Sequence, residues 1–226
     1  MFKTELHVHT FPASNCARTC PEDMVENFIE NGYSTVVITN HFSPTLFNVV
    51  AKDKSYKEAV DLFLSNYHRA IKQADGRLNV LLGMEFRNIH NDNDYLVYGI
   101  DEQLLYRAEG ILNMKIKNAY EYLTLKGAMV FQAHPFRDGM TVTNPKYLDG
   151  IEEINFCVTH NNRNDMAKLW ADSYGLLRVY GQDYHSVKYM QGAGILTDTE
   201  IKTNEQLLEV LRAQSFKVTD GKEIIR

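Results

Sequence analysis

Short apolar segments alternate with helical patterns along most of the chain, and this alternation most constrains its fold. Seven segments have the length and apolar character of buried strands, at residues 4–9, 34–39, 78–85, 94–100, 128–133, 151–156 and 177–182. Most are separated by stretches in which apolar residues recur at helical spacing. The repeated order of strand and helix predicts an α/β architecture, and seven strands favour a closed or nearly closed barrel.

The predicted helices end at recognisable residues. Pro21 opens a helix that Gly32 ends, and two later helical patterns end at Gly76 and Gly175. An apolar stripe over residues 207–211 predicts the last helix, and the stretch 101–125 is mostly helical with a break near Gly110. In the helix before Gly175, the residues predicted to face the core are Met166, Leu169 and Trp170.

One connection is too short for a parallel crossover. Only eight residues separate Glu85 from Asp94, whereas a parallel connection needs roughly a dozen or more. We therefore expect a hairpin between the third and fourth strands, so that the sheet is not purely parallel. No linker, repeat or low-complexity tract interrupts the 226 residues. The simplest organisation is a single domain over residues 1–226.

Composition excludes several classes of function. A formal net charge of −5 offers no basic patch for a nucleic-acid polymer. No apolar run approaches the roughly 20 residues that span a bilayer, and the first residues lack the apolar core of a secretory signal. We therefore expect a cytoplasmic protein with no membrane partner. Three cysteines are too few for a disulfide framework. Cys16 and Cys20 are close enough to bind a metal, although neighbouring thiols are more often simply reduced.

Metal-binding side chains concentrate at the carboxyl ends of the predicted strands. Five of the eight histidines lie at such ends with two acidic residues, and the hairpin would bring a third acidic residue to the same rim. The rim residues are His7, His9, His41, Glu85, Asp94, His134, Asp183 and His185. In barrel enzymes this rim carries the active site.

The spacing of these residues indicates a centre with more than one metal ion. His7 and His9 are two residues apart and point to the same face of a strand, and Asp183 and His185 have the same spacing. Nitrogen and carboxylate ligands without thiolate suit Zn, Mn or Fe, and more than four ligands imply more than one ion. Two ions can hold an attacking hydroxide and a leaving oxygen. The residues therefore predict metal-assisted hydrolysis, with phosphorus as the favoured centre.

Isolated histidines carry less weight. A lone histidine near a strand end is usually a hydrogen-bonded structural residue, and this interpretation applies to His160 taken by itself. His68 lies inside a predicted helix, where a surface or packing role is the simplest interpretation. His90 lies in a polar loop, where solvation is the simpler interpretation.

Five motifs occur in order along the chain: ELHVHT, VVITNHF, GMEFR, VFQAHPFR and GQDYHS. In this order they resemble the motifs of the PHP (polymerase and histidinol phosphatase) family of metal-dependent phosphoesterases. The segments GIEEIN and AGILTDTEIKTNEQLLEVLRAQ also resemble later parts of that family. The resemblance covers nearly the whole chain. It implies a distorted (β/α)7 barrel, similar to a TIM barrel, with a centre of two or three divalent ions that hydrolyses phosphate esters.

The resemblance also assigns ligands to the ions. It implies a first ion held by His7, His9, Glu85 and Asp183. Glu85 would bridge to a second ion, which His134 and Asp94 also bind; Asp94 stands where the family commonly has histidine.

For a third ion, the resemblance implies His41 and His185 as ligands. Asn15 stands closest to the position that supplies the remaining ligand. Asn40 replaces the aspartate of the common TDH triplet, and we expect it behind His41, where it would tune that ligand.

Candidate contacts to substrate are three arginines and one histidine. Arg137 follows the HP motif and Arg87 follows Glu85, and arginine suits bidentate contacts to phosphate; either could instead form a structural ion pair. Arg18, in the loop after HVH, and His160 are further candidates. The expected catalytic residues are Glu85, Asp183 and His185, with His160 or His185 protonating the leaving oxygen.

We therefore expect a metal-dependent phosphoric-ester hydrolase, similar to histidinol phosphatases or nucleotide phosphatases. It would use a metal-activated hydroxide at a centre of two or three Zn, Mn or Fe ions, and its partner would be a small phosphomonoester. A metal-binding but inactive regulatory module, and a hydrolase acting on a phosphodiester or a C–N bond, are the alternatives.

Overall fold

The computed structural model describes residues 1–226 and contains eleven strands and six α-helices. The strands are β1 (Phe2–Val8), β2 (Thr35–Ile38), β3 (His41–Phe42), β4 (Asn79–Leu82), β5 (Met84–Phe86), β6 (Tyr95–Tyr98), β7 (Met129–Gln132), β8 (Gly150–Asn155), β9 (Leu177–Gly181), β10 (Gly194–Thr197) and β11 (Lys217–Thr219). The helices are α1 (Pro21–Glu30), α2 (Tyr56–Ala74), α3 (Glu102–Arg107), α4 (Ile116–Leu125), α5 (Asn164–Tyr174) and α6 (Asn204–Ala213).

The strands form two mixed sheets, with helices in most of the connections. One sheet has the order β11-β10-β1-β2-β4 and the other the order β3-β5-β6-β7-β8-β9. Strands β1, β2 and β4 run parallel, as do β7, β8 and β9, whereas β6 is antiparallel to both β5 and β7. The predicted α/β class and the predicted hairpin are therefore confirmed. Phe86 pairs with Tyr95 across this hairpin, so Asp94 reaches the rim where Glu85 lies.

Two of the predicted strands bend from one sheet into the other. The predicted segment 34–39 contains β2, and the chain pairs again just beyond it as β3. The predicted segment 78–85 breaks at Gly83 into β4 and β5. Because β2 pairs with β4 and β3 pairs with β5, the two chains stay side by side across the bend. A Cβ at Gly83 would lie 3.0 Å from Val37 and 3.1 Å from the Val97 carbonyl oxygen, which favours glycine at this close approach.

Backbone hydrogen bonds join β1 to the segment that leaves β9. The N–H of His9 donates to the carbonyl oxygen of Tyr184 at 2.8 Å, and the N–H of Tyr184 donates to that of His7 at 2.9 Å. These bonds place the carboxyl end of β9 beside that of β1. Asp183 and His185 therefore lie next to the histidines of the first strand.

The apolar pattern predicts no strand beyond residue 182, but the structure has two. β10 adds antiparallel to β1, and β11 adds antiparallel to β10. They have four and three residues, so the apolar pattern gives little signal for either. Both depend on the edge that β1 offers.

The apolar stripe is correct for α6 and only partly correct for α5. In α6 the predicted leucines Leu207 and Leu211 are buried. In α5, Trp170 packs against the core as predicted, but Leu169 is 67% exposed, and the helix also buries Ala167 and Ala171. Small side chains let α5 lie close to its sheet, so the large apolar residues identify its inner face only in part. The break near Gly110 is confirmed, since this residue lies between α3 and α4. No helix of the structure has both the length and the apolar character that a membrane span requires.

Candidate metal centre

The carboxyl ends of the strands bring together all eight side chains predicted at the rim. Their donor atoms form four overlapping groups, and within each group the atoms lie within 4.8 Å of one another. Most of these side chains are buried, whereas His41 and His185 are half-buried at the mouth. The groups are His7, His9 and Glu85; His7, His134 and Asp183; His41, Glu85 and Asp94; and His9, His41 and His185.

Four of these residues are spaced like the ligands of one tetrahedral ion. The Nε2 atoms of His7 and His9 lie 3.0 Å apart. Each lies 3.3–3.4 Å from carboxylate oxygens of Glu85 and Asp183. Ligands bound at about 2.0–2.1 Å in a tetrahedron lie about 3.3 Å from one another. The spacing therefore fits the expected first ion.

Glu152, which the strand-end pattern does not reveal, sets the tautomer of His7. Its Oε1 lies 2.9 Å from Nδ1 of His7. Its Oε2 accepts hydrogen bonds from the backbone N–H of His134 and from Nδ2 of Asn155, both at 2.9 Å. Since a carboxylate can only accept, neutral His7 carries its proton on Nδ1 and presents the Nε2 lone pair to the rim. The sequence signal was a pair of adjacent acidic residues inside a buried strand, of which one must face inward.

A hydrogen-bond chain that begins at Asn40 sets the tautomer of His9. The backbone N–H of Thr10 donates to Oδ1 of Asn40 at 2.7 Å, which fixes the orientation of the amide. The Ser14 hydroxyl donates to the same oxygen at 3.0 Å. Ser14 Oγ then accepts from Nδ1 of His9 at 3.1 Å and from the backbone N–H of His41 at 2.9 Å. Neutral His9 therefore also presents its Nε2 lone pair to the rim. Asn40 lies behind the ligands, as expected, and acts through Ser14.

The inner face of the site consequently presents lone pairs only. When the histidines are neutral, His7 Nε2, His9 Nε2 and the oxygens of Glu85 and Asp183 face one another without a proton, so positive charge is favoured between them, either as a bound cation or as a protonated histidine. Burial alone would lower the pKa of His7, but the Asp183 and Glu152 carboxylates raise it well above its ordinary value. Burial would raise the pKa of Asp183, but the charge of His7 and a hydrogen bond from His9 hold it well below its ordinary value. The residues present therefore fit a divalent cation.

Glu85 faces two groups of donors at once. Its Oε1 lies 3.2 Å from Nε2 of His134, and its Oε2 lies 2.9 Å from Nδ1 of His41. Asp94 Oδ2 lies 3.9 Å from the same nitrogen of His134. This placement fits a bridging carboxylate between the first and second ions. The buried Nδ1 of His134 has no hydrogen-bond partner.

Backbone strain and one close glycine contact occur at the ligand positions. His134 has a φ of 29° and Asp183 a φ of 50°, a region that costs about 1–3 kcal/mol for ordinary residues and recurs at functional sites. On β9, a Cβ at Gly181 would lie 2.5 Å from Cβ of His7 and 3.0 Å from Oε1 of Glu152. Glycine is needed there because β9 passes directly against His7.

The third group lies at the mouth of the site. The ring centroids of His41 and His185 lie 4.5 Å and 4.4 Å, respectively, from the ring centroid of His9. Nε2 of His185 lies 3.2 Å from the Cys16 sulfur. Burial alone would raise the pKa of the Cys16 thiol, but hydrogen bonds to His185 and His41 lower it to about 5. Asn15, the residue expected here from the sequence, and Cys16 are both exposed.

Cys20 does not share this environment. Its sulfur accepts the backbone N–H of Asp23 at 3.5 Å, which caps the N-terminus of α1. The two neighbouring cysteines therefore have different surroundings.

A pocket of about 280 Å³ opens beside Asp183 and His185. Its walls include Cys16, Arg18, Cys157, Thr159, His160 and Tyr189. Burial and the charge of Arg137 lower the pKa of His160, so its ring is neutral near pH 7.

The other two candidate arginines pair with carboxylates of the site. Arg137 donates to Asp183 at 2.7 Å, and Arg87 forms a bidentate pair with Asp94 at 2.7 Å and 2.5 Å. Arg137 also donates from Nε to Oδ1 of Asn162 at 2.8 Å. Both arginines therefore orient carboxylates predicted to be ligands.

The fold and the site together define an α/β protein with several adjoining groups of side chains that could hold cations and an open pocket beside them. Residues 5–199 match the profile of the PHP domain, and the chain belongs to the PHP domain family. Among proteins of curated function, no sequence matches this chain.

Solved structures share the fold at low sequence identity. A two-domain Bacteroides vulgatus protein containing a predicted PHP-like metal-dependent phosphoesterase has a TM-score of 0.66 and 15% identity; the match covers 96% of this chain and 64% of that one. A Bifidobacterium adolescentis protein assigned as a metal-dependent phosphoesterase has a TM-score of 0.52 and 14% identity, over 93% and 96% of the two chains. A Chromobacterium violaceum amidohydrolase with bound sulfate has a TM-score of 0.55 and 13% identity, over 81% and 87%.

Proposed function

We propose that this protein is a metal-dependent hydrolase of small phosphomonoesters, similar to histidinol phosphatases or nucleotide phosphatases. The observation that carries the proposal is the joining of two features at Asp183 and His185. These residues belong to the cluster of lone-pair donors, and they also line the pocket that contains Arg18 and His160. A cation centre beside a pocket that contains an arginine suits a phosphate ester, because the ions and the arginine both neutralise the charge of its oxygens.

We further propose that the strands close into a distorted seven-stranded barrel. The two bent strands continue from one sheet to the other, and the hydrogen bonds between β1 and the end of β9 join the remaining edges. Such closure would explain why the carboxyl ends of strands distant in sequence meet at one rim.

The residues around the centre have distinct roles in this proposal. His7, His9, Glu85 and Asp183 would hold a first ion, and Glu85, His134 and Asp94 a second. Two divalent ions, of which Zn, Mn and Fe suit these ligands, supply Lewis acidity and lower the pKa of a bound water. Glu152 and Ser14 hold the protons of His7 and His9 away from the ions.

Substrate would be held from the pocket side of the centre. Arg18 supplies positive charge, and neutral His160 offers a hydrogen-bonding ring beside the leaving group. The pocket of about 280 Å³ has the size of a small-molecule site. The net charge of −5 gives no electrostatic attraction for a nucleic-acid polymer.

The test is phosphate release by metal-loaded protein from a panel of phosphomonoesters and phosphodiesters. We expect turnover of at least one small phosphomonoester by the wild type and none by Asp183→Ala. Asp172→Ala is the matched control. Asp172 is a surface carboxylate on α5 that pairs with Arg178 and is not one of the predicted ligands. Metal binding without release from any substrate would support the inactive module instead.

A C–N hydrolase is the second candidate, and the amidohydrolase among the structural neighbours favours its inclusion. An activated water at a metal centre can attack an amide carbon as well as phosphorus. Amide substrates therefore belong in the same panel. Turnover of an amide, with no phosphate release, would replace the phosphoesterase assignment.

A further inference from the structure

We propose that the Cys16 thiolate, with the imidazoles of His41 and His185, binds a third divalent cation at the mouth of the site. This mixed nitrogen and sulfur donor set would select a thiophilic ion such as Zn²⁺ over Mn²⁺ or Mg²⁺. The inference rests on the proposed function to the extent that it adds an ion to the same centre. It replaces the amide of Asn15, the ligand expected from the sequence, with the neighbouring thiol.

The histidine tautomers provide the first support. Nδ1 of His185 donates to the carbonyl oxygen of Asp183 at 2.8 Å, because a carbonyl can only accept. Neutral His185 therefore presents an Nε2 lone pair, and this atom is the one that lies 3.2 Å from the Cys16 sulfur. Nδ1 of His41 faces the Glu85 carboxylate at 2.9 Å, so neutral His41 carries its proton there and keeps a lone pair on Nε2.

A histidine group provides a second observation, independent of the cysteine. Donor atoms of His9, His41 and His185 lie within 4.8 Å of one another. His9 is fully buried, and its Nε2 lies 3.0 Å from that of His7, within the group assigned to the first ion. His41 and His185 are therefore the two imidazoles of this group that are left for another cation.

The spacing between nitrogen and sulfur suits ligands of one ion. Zn–S bonds of about 2.3 Å and Zn–N bonds of about 2.0–2.1 Å place the two atoms about 3.5 Å apart in a tetrahedron. The distance from His185 Nε2 to Cys16 Sγ is 3.2 Å, so a small movement of the side chains is sufficient.

The loop that carries Cys16 is held against the opposite ligand. The backbone N–H of Arg18 donates to the carbonyl oxygen of His185 at 2.8 Å, and the N–H of Phe11 donates to that of Thr19 at 2.9 Å. Ser14 and Ala17 are buried within this loop. The thiol is therefore positioned by main-chain bonds on both sides of it.

Thiolate chemistry then determines the choice of ion. Thiolates bind Zn²⁺ strongly, whereas Mn²⁺ and Mg²⁺ prefer oxygen ligands. The other two cysteines have local partners outside the histidine group: Cys20 caps α1, and the Cys157 sulfur lies 3.1 Å from the Thr159 hydroxyl.

The experiment uses the metal-stripped full chain titrated with Cd²⁺, and it needs no turnover. We expect an ultraviolet band for thiolate-to-cadmium charge transfer that saturates at one thiolate per chain. Cys16→Ser should lose this band, while Cys20→Ser and Cys157→Ser keep it. In Zn²⁺ titrations, Cys16→Ser should lose one bound ion per chain or bind it about tenfold or more weakly. Its content of Mn²⁺ should not change.

Alkylation of the wild type gives a measurement that does not depend on any variant folding. Saturating Zn²⁺ should protect Cys16 from iodoacetamide, and saturating Mn²⁺ should not. A missing charge-transfer band, a band that persists in Cys16→Ser, or alkylation of Cys16 at the same rate with Zn²⁺ would overturn the inference and indicate an ordinary hydrogen-bonded thiol. Loss of an ion in Asn15→Ala but not in Cys16→Ser would return the ligand role to Asn15. These readouts stay valid if the protein releases no phosphate, so the two proposals fail separately.

Discussion

Glu152→Gln tests whether the tautomer of His7 is set from behind the site. The substitution conserves shape but replaces one acceptor oxygen with a donor amide. Two donors, the His134 N–H and the Asn155 amide, point at Oε2, and only His7 Nδ1 points at Oε1. The glutamine oxygen should therefore take the position with two donors. Its NH₂ group then faces Nδ1 of His7, which forces the histidine proton onto Nε2, the atom that would bind the ion.

The expected loss of metal affinity follows from what contacts to metal-bound histidines contribute in other proteins. Removing the partner that orients a metal-bound histidine typically weakens metal binding 10- to 100-fold, which corresponds to about 1.4–2.7 kcal/mol. The assay is competition between the protein and a chromophoric chelator for Zn²⁺ near pH 7. We expect the Glu152→Gln variant to bind the first ion more weakly by this factor.

Glu153→Gln is the matched control because it makes the same charge change at the next residue of β8. Glu153 faces the other side of the sheet, where it pairs with Arg178 at 2.6 Å and accepts from the Tyr180 hydroxyl at 3.1 Å. Metal affinity should stay within about twofold of the wild type in this variant. Equal losses in both variants would mean that net charge alone is responsible, and unchanged affinity in Glu152→Gln would refute the tautomer argument.

Three further predictions concern packing and pH. Gly181→Ala should destabilise the protein by about 1–3 kcal/mol in urea unfolding and weaken metal binding, because the new Cβ would lie 2.5 Å from that of His7; unaltered metal affinity would contradict this. Leu207→Ala, in the buried face of α6, should cost about 2–5 kcal/mol, whereas Leu125→Ala, 83% exposed, should stay within about 0.5 kcal/mol. In the metal-free protein the pKa of His7 and that of His41 lie well above 6.5, so the stability they contribute is present below that pH and is lost as pH rises through the raised values. With chelator, we therefore expect the melting temperature to fall as the pH rises above neutral. With saturating Zn²⁺ it should rise over the same range, since ligands must lose protons to bind metal; parallel curves would contradict this.

The sequence alone was sufficient for the rim of the site. Apolar strands that end in a polar residue place that residue at the carboxyl edge, and parallel strands share this edge. This reasoning located His7, His41 and His134, which the structure brings into one cluster. It also placed Asp94, because a connection of eight residues allows only a hairpin.

The residues that support the ligands could not be found in the same way. Glu152 lies inside a strand, and which of two adjacent acidic residues faces His7 depends on the local register of β8. Ser14 lies in a loop with no periodic pattern, yet its hydroxyl joins Asn40, His9 and the backbone of His41.

Other features depended on contacts between distant segments. The bend at Gly83 follows from the approach of neighbouring strands, and β10 needs the edge of β1 to form.

The mouth of the site shows most clearly which features the sequence predicts and which depend on the tertiary structure. The resemblance of the sequence to the PHP family predicted that the loop after the first strand approaches His41 and His185. It did not determine whether Asn15 or Cys16 lies beside these histidines, because adjacent residues in an irregular loop differ only in backbone angles that local patterns do not encode. Main-chain hydrogen bonds join this loop to the segment after β9, and the Cys16 sulfur lies 3.2 Å from His185 Nε2.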